Sequence, residues 1–351
     1  MSSIERAREI LQNYDGAHCR IMEVCGTHTH EIFRQGIRNV LPETIELISG
    51  PGCPVCVTPV GFIDEAIYLA LEKGCTICTF GDLVRVPGSA DSLQTARGKG
   101  AQVKVVYSPL DAETYAAQHQ EEQVVFLSVG FETTTPANCL AVLAAREAGL
   151  SNFSLLTANK TMPGAYEAMK GSTDLFLYPG HVHAITGTAI CEQLVGEGVS
   201  GVCAGFTAGE LLTALAVAVT NFKKGKPFFV NCYPRVVRQE GSPEAVNIIH
   251  KVMTPCDSEW RGIGMISGSG LCLREEYASY DARKKYSVPP MEGRGNPACH
   301  CGEVLRGRIL PTACPLFGKA CTPEHPVGAC MVSSEGACSA WYLYGNQRGG
   351  I

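Results

Sequence analysis

The sequence predicts an α/β protein with two similar parallel-sheet domains followed by a small Cys-rich domain. Three observations carry this expectation. Short apolar runs alternate with helical periods along most of the chain, the pattern of parallel βα layers. The two halves resemble each other: Pro51-Gly52 recurs as Pro179-Gly180, Cys75 as Cys203, and Thr79, Gly81 and Leu83 as Thr207, Gly209 and Leu211, with Glu210 in the place of Asp82. From about Cys256 the periodicity fades, and Gly, Pro and Cys crowd into short loops through Cys338. The divisions that follow are residues 1–121, 122–250 and 251–351.

Taken in order, MSSIERAREILQNY is an amphipathic helix without the apolar stretch of a signal peptide. The apolar run 21–24 ends at Cys25-Gly-Thr-His28, which opens a helix. The run 45–48 precedes a Pro-Gly turn and a helix over 60–73, where Phe62, Ala66, Ile67, Ala70 and Leu71 fall at helical spacing. Strands follow at 76–80, 104–107, 124–129 and 154–157, with a helix over 137–148. Two more strands, 175–178 and 201–206, repeat the pattern of the first half.

Composition excludes several classes of function. Hydrophobic residues at 45% against 18% charged describe a globular chain, not a disordered one. With 29 Lys and Arg against 34 Asp and Glu, and no basic run, the chain lacks the electrostatic footprint of a nucleic-acid binder. No apolar stretch is long enough to span a membrane. These features predict a cytoplasmic protein. In a reducing cytosol 18 cysteines do not signal structural disulfides; they signal metal binding, redox chemistry or both.

The tail holds Cys299, Cys301, Cys314, Cys321, Cys330 and Cys338. It has no paired CxxC knuckle of the kind structural zinc sites use. Four dispersed thiolates, Cys314, Cys321, Cys330 and Cys338, suit an iron–sulfur cubane, whose corners each need one soft anionic ligand. Cys299 and Cys301 could replace one of them or form a neighbouring dithiol. Upstream, Cys53-Pro-Val-Cys56 lies between a turn and a helix, where a dithiol can cycle with a disulfide and the helix N-terminus acidifies the first thiol. Cys75-Thr-Ile-Cys78 falls in a strand, so its thiols point to opposite faces and belong to the core. Cys25 and His28 flank a glycine turn and could hold a transition metal, although for one Cys and one His a buried thiol beside a capping Thr is the better explanation from these residues alone. Glu132, in Gly130-Phe-Glu-Thr-Thr134, is placed for acid–base work or for a helix dipole. His181 follows the second Pro-Gly turn. In open α/β sheets such strand-end loops line a common crevice. No nucleotide-binding glycine motif occurs.

Together these residues resemble the HypD family of hydrogenase maturation factors. The match runs through CGTH at 25–28, GPGCPVC at 50–56, TFGDLVRVPGS at 79–89, GFETT at 130–134, PGHV at 179–182 and CMVSSEGAC at 330–338. One departure is His183, where the family more often has a small polar residue. The resemblance implies two α/β domains around a cleft and a third domain carrying a 4Fe-4S cluster. It further implies a scaffold on which the iron of nickel–iron hydrogenases acquires two cyanides and one carbonyl as Fe(CN)2CO. The implied partners are a HypC-type small chaperone and HypE, the cyanide donor, with HypF upstream, in a heteromeric complex containing one copy of this chain. Carried onto this sequence, Cys25 holds the iron, Cys53 and Cys56 are redox-active or further iron ligands, and Glu132, Thr133, Thr134 and His181 line the cleft. His28 is expected to orient the Cys25 thiolate or donate to a cyanide nitrogen. The competing reading is an iron–sulfur thiol–disulfide reductase resembling ferredoxin–thioredoxin reductase. A zinc-stapled binding module is the third.

Overall fold

The computed structural model describes residues 2–345. Along the chain its strands are β1 (Cys19–Glu23), β2 (Ile45–Ser49), β3 (Thr76–Thr79), β4 (Val103–Val105), β5 (Val124–Ser128), β6 (Phe153–Thr157), β7 (Asn159–Lys160), β8 (Leu175–Pro179), β9 (Ser200–Ala204), β10 (Phe229–Asn231), β11 (Met253–Trp260) and β12 (Gly264–Leu273). Two parallel sheets dominate, in the orders β10-β9-β8-β1-β2 and β4-β3-β5-β6. Their central strands are buried on both faces, as helix-covered parallel strands must be. The α/β fold class is as expected, and the predicted helices at 60–73 and 137–148 are present as Val60–Leu71 and Thr135–Glu147. The N-terminal helix Ser3–Gln12, closed by a capping box between Ser2 and Glu5, packs on Ala208–Phe222. No described helix is long and apolar enough to cross a membrane.

Each sheet reverses its winding direction once. In the first, β1 leads to β2 on one side and β8 leads to β9 and β10 on the other, so the switch falls between β1 and β8. In the second it falls between β3 and β5. Crevices outside the carboxyl ends at such points are where open α/β sheets bind ligands. The loops that leave those four strands carry CGTH, PGHV, TFGD and GFETT respectively.

The sheets interleave along the chain, which corrects the expected division. β3 and β4 lie before residue 121, yet β3 pairs with β5 from beyond it. The first sheet meanwhile joins strands from 19–49 to strands from 175–231. Nor does the half-chain repeat map one sheet onto the other: β2 and its counterpart β8 share a sheet, whereas β3 and β9 do not. A strand followed by a Pro-Gly turn marks a βα unit wherever it sits, and does not say which sheet the strand joins. The segment after Cys256 also holds more structure than its texture suggested. β11 and β12 form a long antiparallel hairpin, extended by β7. Gly264, Gly268 and Gly270 dilute its strand signal.

Cys75 and Cys78 are both buried, in core clusters on opposite sides of the second sheet, as the strand geometry required. A separate cluster joins the remaining parts. Met22, Phe176 and Tyr178 of the first sheet pack there with Phe131, Trp260, Cys53, Cys56 and Cys330.

Candidate functional site

At the switch point of the first sheet, β1 is followed by Val24 and then Cys25, the N-cap of the helix Gly26–Arg34. β2 ends in the Gly50–Cys56 loop, and the two loops are pressed together. The Gly26 N–H donates to the Gly52 carbonyl at 3.0 Å. A Cβ on Gly52 would meet the Cys25 backbone, and one on Gly26 would lie 3.1 Å from the Cys53 Cβ. Only glycine admits this approach. Cys25 is buried, and burial pushes its thiol up to about 12 against the opposing pull of the His28 and Thr27 backbone N–H groups. Beside it the Thr27 hydroxyl donates to Glu335 at 2.6 Å, which ties the CGTH turn to the C-terminal segment.

His28 and His181 both pack on Phe206, with ring centroids 4.8 Å and 5.0 Å from it. His28 Nε2 lies 3.0 Å from the Gly205 carbonyl and must carry the proton to donate there. Nδ1 is therefore a lone pair, buried without a partner among the described residues. This corrects the expected donor role: the ring offers an acceptor or a ligand nitrogen. Burial holds His28 down at about 3 and, with His183 beside it, His181 at about 4. His183 is a core residue, near 3.2 Å from the Tyr166 hydroxyl and 2.9 Å from the Gly187 carbonyl.

Cys53 caps the single turn Pro54–Val57, and its sulfur accepts from the Cys56 N–H at 3.4 Å. Cys56 is fully buried, and its neighbours Cys330 and Cys53, together with burial, push its thiol well above the ordinary range. The thiols continue from there. Cys330 lies against Cys56, Cys301 and Cys338, and Cys301 lies against Cys299. All six tail cysteines line one small cavity with Leu316, Phe317 and Met331. The Cys321 sulfur accepts from the Val327 N–H at 3.3 Å. Arg85, from the TFGDLVRVPGS segment, fastens this tail by donating to the carbonyls of Pro323 at 2.8 Å and Val332 at 3.2 Å.

GFETT joins the thiol cluster through Phe131. Glu132 is buried, one carboxylate oxygen accepting from the Met162 N–H at 2.8 Å and the other without a partner among the described residues. Burial raises it to about 7, which suits a group that exchanges a proton near neutrality. Thr134 packs on Gly130, and Thr133 is exposed. No hydrogen bond joins these three residues to the Cys25 group.

The HypD family model, described as the hydrogenase formation hypA family, matches residues 2–345. The chain belongs to the HypD family. Hydrogenase maturation factor HypD of Azotobacter vinelandii is 42% identical over 341 residues, covering 94% of this chain and 90% of the relative. Its namesakes in Escherichia coli and Cupriavidus necator are 41% and 40% identical, each over 94% of this chain and 90% of their own.

For this HypD chain the structure brings Cys25, His28, Cys53, Cys56 and His181 to one end of the first sheet and gathers the tail cysteines behind Cys56. Sequence reasoning missed Phe206, Glu335 and Arg85. Glu335 and Arg85 lie inside quoted motifs, so their presence was visible but not their partners. Phe206 follows β9 at the sheet end, and only the strand order shows that it meets two histidines.

Proposed function

We propose that this chain is the scaffold and redox component that assembles the Fe(CN)2CO centre of nickel–iron hydrogenases. The observation that carries this reading is the seating of Cys25 against the Gly50–Cys56 loop at the switch point of the first sheet. One soft thiolate there can hold the iron, which is cargo, while the dithiol Cys53 and Cys56 stands next to it as a reductant or as further ligands. Among the described residues no three of His, Cys, Asp and Glu converge on one ion. Cyanide, carbonyl and a HypC-type chaperone would supply the remaining positions, with HypE delivering cyanide made with HypF. The setting is the cytoplasm.

The tail cavity suits a 4Fe-4S cluster. Six soft donors surround it, its other walls are apolar, and a backbone N–H already points at one sulfur. Each iron of a cubane takes its own thiolate, so the donors need not converge on one point. Cys330 and Cys338, both expected as ligands, lie against each other and cannot serve two corners as they stand. Cys299 lines the same cavity and can take the place of one of them. We therefore assign the cluster to Cys299, Cys314, Cys321 and Cys338, and leave Cys330 as a thiol between Cys301 and Cys56. When bound, such a cluster supplies electrons one at a time.

The line of thiols from Cys301 through Cys330 to Cys56 also fits an iron–sulfur thiol–disulfide reductase. Cys25 separates the two readings. Protein purified anaerobically with its small chaperone should show CN and CO infrared stretches, and Cys25→Ser should lose them while keeping its cluster absorbance. Cys25→Ser protein that retains those bands refutes the scaffold reading.

A further inference from the structure

Arg261 stands at the turn between β11 and β12 with only 8% of its surface exposed. Its backbone N–H donates to the Val57 carbonyl at 2.8 Å, and its Nη2 to the Pro87 carbonyl at 2.9 Å. Nε is buried without a partner, and no carboxylate among the described residues lies within ion-pairing distance. A guanidinium is charged at every accessible pH, and a buried charge without a counter-charge is among the costliest arrangements a fold can hold. The residues beside it are Cys299 and Cys301, which share with Arg261 the wall of an open cleft of about 770 Å³ and also line the cysteine cavity behind. Glu259, on the same wall, stays out of ion-pairing reach.

We infer that the counter-charge of Arg261 is the thiolate set of the iron–sulfur cluster, and that Arg261 is a positioning residue which holds that cluster and raises its reduction potential. The inference rests on the reading that the six-cysteine cavity carries the cluster. Iron takes the protons from the thiols it binds, so negative charge arises beside Arg261 only on loading. Reduction adds one more negative charge to the cluster. A fixed cation at its edge therefore favours the reduced form, and a buried N–H next to a ligand sulfur does the same. The same charge also favours Cys299, which shares the cleft wall with Arg261, as the fourth ligand.

Redox titration of the anaerobic holoprotein, followed by visible absorbance with iron per chain measured in parallel, tests this. Arg261→Gln should titrate at a lower midpoint than the native protein and release iron to a chelator about 10-fold faster. Arg261→Lys, which restores the charge, should recover most of both. A native midpoint in Arg261→Gln at full iron content overturns the inference, and so do equal losses in Gln and Lys, which would mean that only the Pro87 contact matters. If Arg261→Gln is isolated empty, a loaded Arg261→Lys supports the inference and an empty one overturns it. Native protein that binds no iron overturns the cluster reading itself, and iron content alone identifies that case.

Discussion

A Cβ placed on Gly52 would lie 2.1 Å from the backbone nitrogen of Cys25. The two loops therefore share one volume, and the position of the Cys25 thiol is set by the loop that carries Cys53 and Cys56. Neither can move without the other.

Gly52→Ala should expose this dependence. The intruding methyl meets backbone, which cannot rotate away, and separating the loops breaks the bond from Gly26 to Gly52. Overpacking of this kind costs about 1–3 kcal/mol, read as a lower urea midpoint. The CN and CO bands should weaken as well, because Cys25 is displaced. A native midpoint with full bands would show that the loops yield freely.

The ligand assignment is tested one cysteine at a time. Alanine at Cys299, Cys314, Cys321 or Cys338 should strip most of the iron and the visible band. Alanine at Cys330 should leave iron per chain near native, since that thiol lies toward Cys56 and Cys301. An empty Cys330→Ala protein would return Cys330 to the cluster.

Three imidazoles, His28 and His183 buried and His181 half-buried, fix the response to acid. His28 is held at about 3, and His181 and His183 at about 4, all by burial in the first place, against an ordinary value of 6.5. Below that ordinary value the unfolded chain binds protons that the native rings refuse. Their contribution is full above it and is lost as pH falls, at about 1.4 kcal/mol per pH unit for each ring. Glu132 acts in the opposite sense. Raised to about 7, it contributes fully below the ordinary carboxylate value and loses that contribution as pH rises through 7. Urea midpoints should therefore fall between about pH 6.5 and 4, and Glu132→Gln should steepen the fall by removing the opposing group. A flat profile would mean that the rings are not held neutral.

Much of the fold was legible because strand and helix periods are local. The helix Val60–Leu71 and the strands around Cys78 and Phe126 follow from residues within a few positions of one another. Sheet membership is not local. Nothing near Cys75 or Cys203 says that the strands they introduce or contain join different sheets, so the repeat by itself predicts a duplicated domain. The site divides the same way. Cys25, Cys53 and Cys56 were visible as reactive residue types at strand ends. The proton on His28 depends on the Gly205 carbonyl, 177 residues away, and the company of Cys330 depends on Cys56, 274 residues away. Arg261 gave no motif signal, because its significance lies in a partner that is missing from its surroundings.

The interleaved strand order governs when each part can exist during synthesis. β3 to β6 are contiguous in the chain, so the second sheet can pair throughout as soon as residue 157 is available. β1 and β2, although translated first, wait for β8 to β10 before their sheet is whole. Glu335, which packs on Gly26 and binds Thr27, emerges from the ribosome later still. Cys25 and Cys53 thus wait for the end of the chain to be fully enclosed, and a chain cut short before the tail lacks the Glu335 contact that closes over Gly26 and Thr27.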